Sequence, residues 1–109
     1  MSISVDIDLT GLNRRFSKQK MRKAQLAVAE RALQNANVYC PYDTGALHDS
    51  ATIAQSGEQL IWPMKYAKKV YYGSHVKTEK NPQARTHWFE VAKSKHLKAW
   101  TQIAKQVLT

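Results

Sequence analysis

Apolar and polar positions alternate at the start of the chain, where Ile3, Val5, Ile7 and Leu9 are separated by Ser4, Asp6 and Asp8. A period of two predicts a half-buried strand, which Thr10-Gly11 ends. From about Ser17 to Tyr39 the period lengthens. Met21, Ala24, Val28, Ala32, Asn35 and Tyr39 recur at intervals of three or four with alanines between them, which predicts one long helix. Small residues on that stripe let a partner element come close, whether this chain's own sheet or another subunit.

The helix runs into Cys40-Pro41-Tyr42-Asp43-Thr44-Gly45-Ala46-Leu47-His48-Asp49-Ser50. Pro41 cannot continue a helix and pushes Cys40 out of the helical region. Asp43 or Thr44 can accept a backbone N–H and start a short new turn. Gly45 permits a backbone conformation or a close approach that a Cβ would block. The stretch reads as a rigid corner.

Beyond it, Ser50–Gln55 and Gln59–Pro63 predict two short strands joined as a hairpin by Ser56-Gly57-Glu58. Tyr66, Ala67, Val70 and Tyr71 fit a short helix with Lys65, Lys68 and Lys69 on its outer side, stopped by Tyr72-Gly73. Residues 74–82 have no apolar periodicity and read as an exposed, mobile loop. A second long helix is expected from about Gln83 to Leu108. Its stripe is Phe89, Ala92, His96, Trp100, Ile103 and Val107, flanked by Trp88, Leu97 and Ala104. Those aromatic rings are expected to pack on the sheet.

With 109 residues and 43% hydrophobic content, the chain has material for a single domain, 1–109, with a modest core. No apolar run approaches the roughly 20 residues of a membrane span, and no membrane partner is expected. The first residues lack the basic-then-apolar pattern of a secretion signal. The single cysteine excludes an intrachain disulfide and a cysteine-clustered zinc site, and it fits a reducing compartment.

Charge is unevenly placed. Residues 1–31 hold seven bases and three acids, residues 32–64 three acids and no Lys or Arg, and residues 65–109 ten bases and two acids; the total is +9. Such a balance suits a polyanion and makes any contact with one salt-dependent; a merely solvated surface reads equally well. Arg14, Arg15, Lys18, Lys20, Arg22 and Lys23 form a block of six bases without an acid. Phe16 and Met21 interrupt it at core-stripe positions, which favours an exposed helix face over a nucleic-acid contact. Arg14, Arg15, Lys18, Lys20, Lys68 and Lys69 are the candidates for a DNA-facing surface.

The search for catalytic chemistry is negative. His48, His75, His87 and His96 show no HxxxH or HxH spacing, and no Cys or carboxylate stands beside them at metal-ligand spacing. His96 falls on the apolar stripe and reads as a core or interface residue. His48 and Asp49 are neighbours on a turn, where side chains usually point apart. The four glycines stand singly, so no phosphate-cradling loop forms. Cys40 has no activating partner and reads as a buried, inert thiol. No cofactor, metal or enzymatic activity is expected. By contrast, Tyr39, Tyr42, Tyr66, Tyr71 and Tyr72 gather around the corner and the short helix, with Trp62 and Met64 between. Tyr and Trp favour places that are apolar on one side and wet on the other, which suits a contact surface as well as ordinary rim packing.

The order Pro-x-Asp-Thr-Gly-x-Leu (41–47), Tyr66-Ala67, Tyr72-Gly73, Asn81-Pro82, Trp88-Phe89 resembles the small minor capsid proteins of long-tailed phages. That group is similar to head–tail joining and tail-completion proteins. The ordered set spans most of residues 41–93, and the first forty residues carry no matching motif. One departure is His48, at a position where the family pattern often has an arginine. A bridging role there would be weakened or made pH-dependent.

The resemblance implies an α+β fold, a small and mostly antiparallel sheet packed by two long helices. It also implies a non-enzymatic virion protein of the neck, part of a head–tail connector ring between portal vertex and tail tube. The chain would be present in the host cytoplasm during assembly. Expected partners are further copies in a homo-oligomeric ring, other neck, portal-side and tail proteins, and genomic DNA by non-specific contact. Tyr42, Asp43, Thr44, Gly45, Leu47, His48, Tyr66, Tyr71 and Tyr72 are the interface candidates. The alternative, a small basic DNA- or RNA-binding protein, lacks any helix-turn-helix, zinc or RNA-binding motif.

Overall fold

The computed structural model describes residues 1–6, 16–41, 46–55, 57–73, 78 and 81–108, with the backbone alone for Ala46 and His48. The elements run β1 (Ser2–Ser4), α1 (Lys18–Val38), α2 (Ala46–Asp49), β2 (Thr52–Ile53), β3 (Gln59–Ile61), α3 (Ala67–Tyr71) and α4 (Trp88–Leu108). The architecture is α+β, as expected.

Both strand pairs are antiparallel, in the order β1-β3-β2. Leu60 in the central strand faces Ile3 on one side and Ile53 on the other, and it is fully buried. The pairing of β1 continues past its ends, with Val5 N donating to Glu58 O at 2.8 Å and Trp62 N to Met1 O at 2.8 Å. The predicted continuation of the first strand through Leu9, and its Thr10-Gly11 stop, lie outside the described residues.

Helix α1 begins where the side chain of Ser17 accepts a bond from Lys20 N at 3.2 Å, satisfying one of the donors that a helix start leaves open. It ends at Tyr39, whose N–H turns back to Ala36 O while the Cys40 N–H turns back to Asn37 O, just before Pro41 forbids a further turn. Its buried residues are Ala24, Val28, Ala29, Ala32 and Ala36. Four alanines on one face bring the partner helix close. That partner is α4, which lies antiparallel along α1, with Trp100 beside Asn35 and Lys95 beside Tyr39. The expectation that α4 packs chiefly on the sheet is thus corrected. The small-residue stripe of α1 leaves room for the large rings of α4, and Phe89 stacks on Trp100 at 5.8 Å in that layer.

Helix α4 starts five residues later than its pattern predicts. Residues Gln83 to His87 are not helical, because Ala84 N closes a turn on Asn81 O and His87 adopts φ +52°. The helix stripe is also rotated. Trp88, Phe89, Ala92, Trp100, Ala104 and Leu108 are buried, His96, Ile103 and Val107 are half-buried, and Leu97 is exposed.

Across the sheet, α1 is tied to the strands by Gln25. Its Nε2 donates to Val5 O at 2.9 Å and to Gly57 O at 2.8 Å, joining β1 to the hairpin tip. Gly57 has φ +75°, which only glycine adopts freely, and this places the predicted hairpin turn.

Candidate functional site

Residues 81–87 link the C-terminal end of α1, where the predicted corner begins, to Tyr71 at the end of α3. Tyr42, Asp43, Thr44 and Gly45 lie outside the described residues, as does the side chain of His48. What holds the corner's two ends is clear. Cys40 and Pro41 are buried, and past the corner Leu47 is buried, 5% exposed, with its carbonyl accepting from Ser50 Oγ at 2.8 Å.

Residues 81–87 form a strap across this end. Asn81 Nδ2 donates to Val38 O and to Cys40 O, both at 2.9 Å, and so satisfies two carbonyls that a helix C-terminus leaves open. Asn81 Oδ1 in turn accepts from Gln83 N at 3.1 Å. Arg85 N donates to Tyr39 O at 2.9 Å and His87 N to Tyr71 O at 2.9 Å. The strap therefore clamps the end of α1 to the end of α3. Of the predicted loop 74–82, its last residues are pinned here and Thr78 is exposed; the remainder lies outside the described residues.

The tyrosines divide into core and surface. Tyr71 is only 2% exposed, with its ring edge-on to Trp88 at 4.7 Å, so this interface candidate is a core residue instead. Helical spacing explains the correction, since Ala67 and Tyr71 are one turn apart and both point inward. Burial pushes the Tyr71 phenol up to about 12, against a smaller opposing effect from the backbone at Glu90. Leu47 is likewise core. Tyr66 and Tyr72 remain at the surface, 39% and 59% exposed. The Tyr72 ring is held edge-on by Tyr71 at 4.9 Å and by His87 at 5.2 Å. An exposed ring fixed on a buried aromatic layer is pre-organised for contact, since little side-chain freedom remains to be lost on binding.

Two residues of this site were given no structural role by the sequence reading, although Asn81-Pro82 carried part of the resemblance. Asn81 had a signal, because Asn before Pro favours a turn in which the Asn side chain bonds backbone two residues on. His87 had none. Its positive φ is set by the strap and by α4, whose Val91 N takes the His87 carbonyl at 3.1 Å. No periodicity encodes such a conformation.

The basic candidates Lys18, Lys20, Lys68 and Lys69 are all exposed, and Lys20 Nζ lies 5.6 Å from the centre of the Phe16 ring. Arg14 and Arg15 lie outside the described residues. Cys40 is fully buried, and burial raises its thiol to about 12, which makes it an inert thiol as its sequence context suggested. A cleft of about 250 Å³ lies elsewhere, lined by Ser4, Val5, Asp6, Gln25, Glu58 and Gln59. Among the described residues no three His, Cys, Asp or Glu side chains gather where they could hold a metal. No described helix is long and apolar enough to cross a membrane.

The candidate site of this small α+β domain thus consists of exposed aromatic rings, anchored on a buried aromatic layer, and a backbone clamp. The chain belongs to the minor capsid protein family, whose model matches residues 3–107. No curated protein and no solved structure matches it. The match takes in β1 and α1, where the sequence offered no motif, as well as the 41–93 region that carried the resemblance. Family membership supports a structural, virion-associated bacteriophage role.

Proposed function

We propose that the chain is a subunit of a ring in the phage neck, a head–tail connector or tail-completion protein between portal vertex and tail tube. Tyr66 and Tyr72 carry the reading. They are the exposed caps of α3, Tyr66 before it and Tyr72 after it, while Tyr71 and Ala67 anchor the helix in the core. Tyr is enriched at protein interfaces, and a ring needs one anchored patch per subunit that meets a different patch on the next. The partners are further copies of this chain, then the portal-side and tail proteins on either face. The corner 42–45 and His48 are assigned to the same contact on the resemblance alone.

The test is the double variant Tyr66→Ala/Tyr72→Ala, supplied in place of the wild-type chain during phage assembly. The expected result is a protein whose stability changes by less than about 1 kcal/mol but which is missing from particles, with heads and tails accumulating unjoined. Wild-type incorporation of the double variant would sink the interface assignment.

A further inference from the structure

The outer faces of the two long helices are charged in one sign. Helix α1 carries Lys18, Lys20, Arg22, Lys23 and Arg31 against one acid, Glu30. Helix α4 carries Lys93, Lys95, Lys98 and Lys105 against one acid, Glu90. On α1, Lys20, Lys23 and Arg31 stand at spacings that share one helix face, and all three are exposed. On α4, Lys95, Lys98 and Lys105 do the same. The antiparallel register that sets Asn35 beside Trp100 brings Arg31, one turn earlier, level with Lys105.

Helix stability does not explain this placement. The first turn of α1 has no acid and its last turn no base, the reverse of what the helix dipole favours. Lys105 in the last turn of α4 suits the dipole, but Lys95 and Lys98 stand mid-helix. Nor does the face resemble a protein contact. Lys is depleted from the core of protein interfaces, and the α4 stripe holds Gln102 between its lysines rather than an apolar anchor. Lysine presents a point charge without the planar fork that reads bases or pairs carboxylates in two-pronged fashion. Phosphates spaced along a duplex fit it.

We infer that the outer faces of α1 and α4, centred on Lys95, Lys98 and Lys105, form a sequence-independent binding surface for the backbone of double-stranded DNA. From Lys95 to Lys105 the helix rises about 15 Å, a length of duplex that carries about nine phosphates. The basic surface thus moves from the short-helix lysines, Lys68 and Lys69, to the helical pair. The inference rests on charge and geometry alone and stands apart from the ring assignment.

The test uses the full chain and a 30-base-pair duplex of mixed sequence, read by fluorescence anisotropy at a series of salt concentrations. Neutralising about three phosphates gives a logarithmic salt slope near −3, so binding weakens about 40-fold between 50 and 200 mM salt. In Lys95→Gln/Lys98→Gln/Lys105→Gln the slope is expected to fall by about two to three, while the triple Lys→Arg version keeps it. Lys65→Gln/Lys68→Gln/Lys69→Gln removes the same three charges from the +9 total and should leave the slope unchanged. Absence of duplex binding at 50 mM salt overturns the inference. So does an equal loss in both Gln triples, which would mean diffuse charge, or equal affinity for polyglutamate, which would mean an acidic protein partner. Because no particle enters the assay, each of these results leaves the ring reading standing.

Discussion

Gly57 shows how much one residue fixes. Its φ is +75°, and a Cβ built on it would sit 3.0 Å from Leu26 Cδ2 and 3.1 Å from the Leu26 Cα and N. Flexible side chains can yield at that distance, but backbone of a helix in the core layer cannot. Gly57→Ala is therefore expected to lose about 1–3 kcal/mol of stability in urea unfolding, from strain and displacement together. An unchanged midpoint would show that the hairpin tip relaxes freely. Cys40 and Tyr71 add a pH dependence. Both are held protonated by burial, with folded pKa values near 12 against ordinary values of 9.0 and 10.0. Above about pH 9 the unfolded chain releases these protons and the folded one does not, so stability present below pH 9 is lost as pH rises toward 12. Melting temperature should fall progressively across that window, and Cys40→Ala should flatten the early part of the fall. A flat profile from pH 8 to 11 would contradict the burial of both groups.

The three tryptophans, Trp62 just past β3 and Trp88 and Trp100 on α4, have environments that differ in one respect. Trp100 Nε1 donates to Asn35 Oδ1 at 2.7 Å and Trp62 Nε1 to Asn37 Oδ1 at 3.3 Å, whereas the buried Trp88 Nε1 has no partner among the described residues. Trp100→Phe removes a bond and strands the Asn35 oxygen, while Trp88→Phe removes an orphaned donor. Trp88→Phe should be the milder change by about 1–2 kcal/mol in urea unfolding, although both delete similar volume. Equal losses would imply a partner for Trp88 in solution. At this scale most of the fold is legible in the pattern. The helix from Ser17, the hairpin around Gly57 and the short helix at Ala67–Tyr71 follow from capping, turn chemistry and spacing. The start of α4 was not legible, since residues 83–87 have a helical composition. Their conformation is set by long-range bonds from Arg85 to Tyr39 and from His87 to Tyr71. For the same reason the surface tyrosines could not be separated from Tyr71 by composition. Only the placement of α3 against Trp88 and the strap decides which ring points outward.

At the scale of the whole molecule, a net charge of +9 disfavours bare self-association, because like surfaces repel at low salt. A ring of such subunits needs opposite charge or neighbouring proteins to close, which accords with a part that assembles on others and beside DNA. The rigid α1–α4 pair would supply the frame, and the end of the molecule carrying the strap, Tyr66 and Tyr72 would supply the contact. Family membership places the chain in the particle without fixing where. The measurement that tests the neck reading most directly is quantitative mass spectrometry of purified phage particles, with intact virions compared against isolated heads and tails. The account predicts a small, fixed number of copies, about six to twelve per virion as a single closed ring allows, retained at the head–tail joint. Hundreds of copies spread over the head shell, or absence from particles altogether, would contradict it.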